Sequence, residues 1–196
     1  MTEALVVSNT ILWLVVLVLL VALLALARQV GVLFERVAPM GALVLDAGPK
    51  VGEPAPRFDL VGLNNKAVQL GGSQATSTLL FFLSPTCPVC KKLLPVLKSV
   101  ARSEETWLRL VLASDGDLPQ QQTFYNRAGL QAFPYVLSTE LGLAYRVSKL
   151  PYAVLVDEDG KVRAKGLINS REQLESLFTA KELGVASVQD FLAQQA

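Results

Sequence analysis

Cys87 and Cys90 are the only two cysteines in the 196-residue chain, and they stand three positions apart. If a helix carries the second one turn beyond the first, the two sulfurs are close enough to close a short disulfide. The flanking residues supply such a helix. An apolar run at 78–83 leads into Ser84-Pro85-Thr86-Cys87-Pro88-Val89-Cys90, and Leu93, Leu94, Leu97, Val100 and Ala101 follow at helical spacing. Pro88 suits the first helical position, because it has no N–H to leave unpaired and its φ is preset. Cys87 then meets the unpaired N–H groups and positive dipole end of a helix start, where a cysteine pKa is commonly lowered into the reactive range. The chemistry this predicts is that of a dithiol that cycles.

Other roles for the pair fit less well. A structural disulfide stabilises chiefly by closing a long loop, and two intervening residues close almost none. Zinc wants four Cys, His or carboxylate ligands, whereas this chain has no histidine and no third cysteine. Two unrelated buried cysteines would not need a strand before them and a helix after them.

The elements that must position this pair are legible around it. Residues 52–60 and 66–70 read as strands about a turn at 62–65, and 78–83 as a strand buried on both faces. The cysteine helix follows to about 102, with Pro95 expected to kink or tighten it. Next come a strand at 107–114, a helix at 119–128, a short strand at 134–137 and a short helix or turn at 141–147. Strands at 152–157 and 161–167 form a hairpin across Glu158-Asp159-Gly160. A helix at 170–180 opens on Ser170 and Gln173 as a capping box, and a last short helix is expected at 187–195. Strands alternating with helices predict an α/β domain.

Composition sets the context. The net charge of +1 gives no electrostatic case for nucleic acid, so none is expected as a partner. The hydrophobic share, 52%, is concentrated at the amino end. No charged side chain occurs between Ala4 and Ala27, and the run offers about 18–20 apolar residues, enough to cross a bilayer core of ~30 Å. A cleaved signal peptide is the rival, since Ala25-Leu26-Ala27 resembles a cleavage site. The run exceeds the usual apolar region of a signal, however, and no Lys or Arg precedes it. The expected organisation is a membrane anchor at 1–29, a juxtamembrane segment at 30–47 that either lies on lipid or serves as a tether, and an α/β domain at 48–196.

With a strand, a Cys-x-x-Cys and a helix, then a proline before a later strand and a closing hairpin and helix, residues 48–180 resemble the thioredoxin superfamily. Val51-Gly52-x-x-Ala55-Pro56-x-Phe58 looks like its membrane-tethered, redoxin-type branch. The stretch Phe81-Phe82-Leu83-Ser84-Pro85-Thr86-Cys87-Pro88-Val89-Cys90-Lys91-x-Leu93-Leu94-Pro95, after an amino-terminal anchor, is similar to the methylamine-utilisation protein MauD family. The resemblance implies a thioredoxin-like fold behind a single transmembrane helix, Cys87 as attacking and Cys90 as resolving cysteine, and no cofactor beyond this dithiol. It matches Pro151 to the superfamily's cis-proline, which would turn the Leu150 backbone toward an incoming polypeptide. Thr86, Pro88, Leu150 and Pro151 are thus the expected client-binding residues. Three positions depart from thioredoxins and reductive relatives: Thr86 replaces a tryptophan, Phe81 a buried acid and Leu93 a glutamate.

The family is implicated in maturing the disulfide-dense small subunit of methylamine dehydrogenase, alongside an integral membrane protein of the same gene cluster. Those are the implied partners, with membrane lipid around the anchor. The implied activity is a thiol–disulfide oxidoreductase that forms or isomerises client disulfides. A reductive protein passing electrons to periplasmic disulfides and a non-enzymatic tethered adaptor are the alternatives. A peroxiredoxin is a further class, but the threonine and proline spacing before its cysteine is missing here. Arg28 and Arg36 vote for a cytoplasmic carboxyl side, whereas the client logic puts the domain in the periplasm, where disulfides accumulate.

Overall fold

The structure, a computed structural model, describes residues 2–36 and 48–183. Its contacts divide the chain into two units, Met1–Leu45 and Asp46–Ala196. In the first, α1 (Thr2–Arg36) is one continuous helix. Its segment Val6–Leu26 is long and apolar enough to cross a membrane, and none of it is buried. Twenty-one residues at ~1.5 Å each match a hydrocarbon core. The helix does not stop at 29: it takes in 30–36, which hold a single glycine and no proline, so nothing there breaks the backbone pattern. The remainder of the juxtamembrane segment, and the helix expected at 187–195, fall outside the described residues.

In the second unit β1 (Phe58–Val61) and β2 (Ala67–Leu70) pair antiparallel as a hairpin. The main sheet holds β3 (Ser77–Phe82), β4 (Leu108–Ser114), β5 (Tyr135–Leu137), β6 (Tyr152–Val156) and β7 (Val162–Leu167) in the order β5-β4-β3-β6-β7. The β3–β4 and β4–β5 pairs are parallel, while β6 runs antiparallel to both β3 and β7. With the helices α2 (Pro88–Ser103), α3 (Leu118–Arg127), α4 (Thr139–Ala144) and α5 (Arg171–Leu183), this is the thioredoxin-like α/β arrangement.

Strand β3 lies at the centre and is buried along its whole length. Because successive side chains point to opposite faces, Leu79 and Phe81 join one core with Leu97 of α2, Tyr125 of α3 and Leu174 of α5. Leu80 and Phe82 join a second core with Val68 of the hairpin and Leu141 of α4. Helix α2 holds its apolar face, Leu93, Leu94, Leu97 and Val100, against the first core and runs unbroken through the solvent-facing Pro95.

The expected elements recur with small shifts, except that the strand expected over 52–60 begins only at Phe58. The short helix begins at Thr139 rather than 141, because the Ser138 hydroxyl accepts the Leu141 N–H at 3.1 Å and caps it there. At α5, Ser170 Oγ accepts the Gln173 N–H at 3.3 Å, as a capping box requires. The return bond comes to Gln173 Oε1 from Asn169, one residue earlier than the box predicts, at 2.6 Å.

The segment ahead of and through the hairpin turn touches both outer strands of the sheet. Gly52 donates to the Val162 carbonyl at 2.7 Å, and Val162 donates to that of Glu53 at 3.0 Å. Ten residues on, Leu63 donates to the Tyr135 carbonyl at 2.8 Å and Gly62 bridges Val136.

Candidate redox site

Strand β3 ends at Phe82, and the chain turns over Ser84-Pro85-Thr86 before α2 begins. The turn is held by its own polar groups. Cys87 N–H donates to the Ser84 carbonyl at 3.1 Å, Thr86 N–H donates to Ser84 Oγ at 3.3 Å, and the two hydroxyls of Ser84 and Thr86 share a bond of 2.9 Å. Cys87 is the N-cap residue of α2, in extended conformation, with Pro88 in the first turn. Its sulfur accepts the Cys90 N–H at 3.1 Å, taking the place that a serine or aspartate oxygen commonly fills.

Cys87 and Cys90 are joined as a disulfide, with Cα atoms 5.3 Å apart, inside the range such bridges use. The two sulfurs are not equivalent. Cys90 is 0% exposed, part of the core that holds Phe81 and Leu93, whereas Cys87 is half-buried and flanked by exposed Thr86 and Pro88. A partner can therefore reach Cys87 and not Cys90. No acidic side chain lies in the first turn of α2, so nothing there opposes negative charge on the Cys87 sulfur.

The second half of the site comes from β6. Phe82 pairs with Tyr152 across the antiparallel β3–β6 ladder. Continued by one step, that register sets Pro151 opposite Leu83, at the same end of the sheet as the cysteines. The Leu150–Pro151 bond is cis, Pro151 is buried, and its carbonyl accepts the Ile168 N–H at 3.1 Å. Leu150 is 37% exposed, and its backbone makes no hydrogen bond among the described residues. The N–H and C=O of Leu150 are thus open to an extended partner chain, as strand addition requires. All six residues singled out in the sequence, Thr86, Cys87, Pro88, Cys90, Leu150 and Pro151, lie on these two adjoining segments.

Sequence reasoning missed two features beside them. One is the Ser84–Thr86 hydroxyl pair, whose spacing of two before a helix cap is its only signal. The other is a hollow of about 160 Å³ lined by Phe82, Leu83, Ala113, Ser114, Gly142 and Leu150, among others. Its walls come from five separated stretches of chain, so no local pattern announces it. Behind it, buried Gln121 of α3 donates to Ser114 Oγ at 2.9 Å and to the Asp115 carbonyl at 2.6 Å, and accepts from the Tyr135 hydroxyl at 2.6 Å. Among the described residues no cluster of three His, Cys, Asp or Glu side chains occurs that would hold a metal ion.

Comparison with known proteins agrees with this geometry. The Redoxin family profile matches residues 50–181. Methylamine utilization protein MauD of Paracoccus versutus is 47% identical over 191 residues, which cover 97% of this chain and 96% of that protein. Thiol-disulfide oxidoreductase ResA of Bacillus thuringiensis is 28% identical over 132 residues, covering 64% of this chain and 75% of that one. Among solved structures, the protein of Chlorobium tepidum titled a thiol:disulfide interchange protein DsbE superposes with a TM-score of 0.62 at 20% identity. The match covers 68% of this chain and 99% of that one, and carries the fold alone.

Proposed function

The chain belongs to the Redoxin family and, within it, to the methylamine utilization protein MauD family, and from that premise we propose that it is a membrane-anchored thiol–disulfide oxidoreductase acting on a protein client. The observation that carries the reading is the disulfide at the helix start, with one reachable and one buried sulfur. A client thiolate attacks the Cys87 sulfur, the Cys87–Cys90 bond breaks, and Cys90 leaves as a thiolate. A second client thiolate then attacks the mixed disulfide at the client sulfur. The client departs with a new disulfide, two electrons poorer, and the protein is left as a dithiol. The integral membrane redox partner takes up those electrons and restores the bond.

Direction follows from which state the fold favours. A helix start stabilises the Cys87 thiolate and hence the reduced form, which makes the disulfide the better oxidant. Phe81 and Leu93 fill the core around Cys90 with apolar surface, where reductive relatives carry carboxylates that help deprotonate the second cysteine. Both features support disulfide formation or isomerisation over reduction. Thr86, Pro88, Leu150 and Pro151 receive the client, with the Leu150 backbone pairing to it as a strand.

From the family we take the client to be the small subunit of methylamine dehydrogenase, cysteine-rich and periplasmic, and the domain to lie in the periplasm behind α1 as a single-pass inner-membrane anchor. This overrides the weak charge signal of Arg28 and Arg36. The test is to trap the mixed disulfide in cells with Cys90→Ala, whose lone Cys87 thiolate attacks the client's finished disulfide in the reverse of the exchange and has no second thiol of the protein to resolve the product, and to identify the attached protein. Recovery of the dehydrogenase small subunit bound through Cys87 is the expected result. A variant that captures nothing, or a Cys87→Ser chain that still supports client maturation, would sink the reading and favour a tethered adaptor.

A further inference from the structure

A groove lies between α2 and α3, on the face of the sheet away from the hollow beside Leu150. Leu94 and Phe124, which line it, pack on the first core, whereas Phe82 and Ala113 of the hollow belong to the second. The groove is open to solvent and holds about 650 Å³, within the ~300–1,000 Å³ of ordinary binding pockets. Its α3 wall is Gln120, Thr123, Phe124 and Arg127, spaced at i, i+3, i+4 and i+7 and therefore one face of the helix. Gln121 and Tyr125, on the other face, are buried against the sheet. The Thr123 hydroxyl donates to the Pro119 carbonyl at 2.8 Å, so its proton is committed inside the helix.

Charge identifies the occupant. Lys91 and Arg127 are the charged groups of the wall, and both are exposed. Neither side chain makes a hydrogen bond or ion pair among the described residues. No carboxylate lines the groove, and neither α2 nor α3 contains an Asp or Glu. The nearest in the chain are Glu104 and Glu105 past the end of α2, and Asp115 and Asp117 ahead of α3. Both helices run away from the cysteine end, since each leads from one parallel strand to the next. Lys98 Nζ of α2 donates to the Ala128 carbonyl at the far end of α3, 2.6 Å away. Lys91, in the first turn of α2, and Arg127, in the last turn of α3, thus stand toward opposite ends of the groove. From Pro119 to Arg127 the wall is about 12 Å long at ~1.5 Å per residue, the reach of about four residues of extended chain.

An apolar trough between two unneutralised cations fits a ligand with an apolar middle and negative ends. A lipid surface would engage exposed Lys92 and Arg102 as readily and leave the groove unfilled. We propose that this groove docks a segment of a partner protein in which apolar or aromatic side chains are flanked by carboxylates about four residues apart. Pro85 lines its cysteine end, two positions before Cys87. The docked segment is held beside the redox turn and leaves the Leu150 backbone free for a client strand. The proposal goes beyond the disulfide-exchange reading and does not depend on it.

The test uses the full oxidised chain in phosphatidylcholine nanodiscs and a fluorescein-labelled peptide, Gly-Glu-Leu-Phe-Leu-Glu-Gly, with binding read by anisotropy. Two control peptides replace both Glu by Lys, or Leu-Phe-Leu by Ser-Ser-Ser. The expected result is an affinity about tenfold tighter for the Glu peptide than for either control. Raising the salt is expected to narrow its lead over the Lys peptide. Arg127→Glu is expected to weaken the Glu peptide about threefold and to tighten the Lys peptide, a reversal that loss of folding would not produce. Thr123→Trp, a substitution at an exposed position, is expected to fill the groove and abolish binding of the Glu peptide. Equal affinities for the three peptides, or binding that neither substitution changes, would overturn the proposal. The lipid alternative is read without peptide, by amine labelling of Lys91 in phosphatidylcholine and phosphatidylglycerol nanodiscs. Equal labelling is expected, and protection in phosphatidylglycerol alone would give this face to the membrane surface and overturn the docking site.

Discussion

The backbone N–H of Cys90 reaches back 3.1 Å to the sulfur of Cys87. The same contact that caps α2 in the oxidised protein is in place to receive negative charge once the disulfide opens, so structural capping and thiolate stabilisation share one atom. Reduced Cys87 is therefore expected to titrate below the ~8.5 of a free thiol and to alkylate before Cys90. The pH dependence of iodoacetamide labelling, read by mass at each cysteine, checks this. A free-thiol value at Cys87 would remove the basis for an oxidising bias.

Two neighbouring tyrosines make opposite predictions. Tyr125 and Tyr135 pack with ring centroids 5.7 Å apart, both buried. The Tyr135 hydroxyl donates to Gln121 Oε1, whereas that of Tyr125 has no partner among the described residues. Burial raises both phenol pKa values, that of Tyr135 to about 12 with the Ser114 hydroxyl opposing the shift. Tyr135→Phe strands a buried acceptor and is expected to cost about 1–3 kcal/mol, while Tyr125→Phe removes an unmet donor and is expected to be neutral or stabilising by about 1 kcal/mol. Urea midpoints of the two variants decide it, and equal losses would show that Tyr125 is satisfied after all.

At the opposite end of β3 from the cysteines, Lys181 of α5 donates to Glu158 Oε1 at 2.8 Å and to Ser77 Oγ at 2.6 Å, and lies 4.8 Å from the Trp107 ring centre. The Lys181 bond, foremost, holds the Glu158 carboxyl down to about 2, with a backbone bond and the Ser77 hydroxyl assisting against burial. The unfolded chain takes up this proton near 4.5 and the folded one near 2. The resulting stability is full above pH 4.5 and is lost as pH falls toward 2. With the carboxyl side chain 44% exposed, salt should shrink the effect. Glu158→Gln is expected to flatten the slope of unfolding midpoint against pH across that window, and an unchanged slope would assign it to other carboxylates.

Lys50 and Lys66 are both exposed. In intact cells an impermeant amine reagent is expected to modify them while leaving cytoplasmic markers untouched. Protection of both until the cells are opened would place the domain on the other side of the membrane and return the vote to Arg28 and Arg36.

What the sequence disclosed here was what local pattern controls. Cys87, Pro88 and Cys90 announce a helix start because proline and the apolar spacing behind them act within one turn, and 78–83 announces a central strand because every residue in it is apolar or small. Pro151 was legible through resemblance, since no propensity separates a cis proline from a trans one. The pocket was not legible, because Phe82, Ala113, Gly142 and Leu150 meet only after β3, β4, α4 and β6 have packed. Gln121 reads as one of three consecutive glutamines on a polar helix, yet it is buried, because Ser114 of β4 brings an acceptor and Tyr135 of β5 a donor to it. The continuation of α1 through residues 30–36 was also not read from the sequence, although the one glycine there costs a helix only about 1 kcal/mol.

The two ends of the segment from Gly52 to Leu63 hydrogen-bond to β7 at one margin of the sheet and to β5 at the other. Open margins invite strands of neighbouring molecules. One stretch of chain thus acts as a selvage over part of each margin, where an added strand would otherwise pair. A shortened protein beginning after Leu63 would keep its cysteines and its core strands and still be expected to clump.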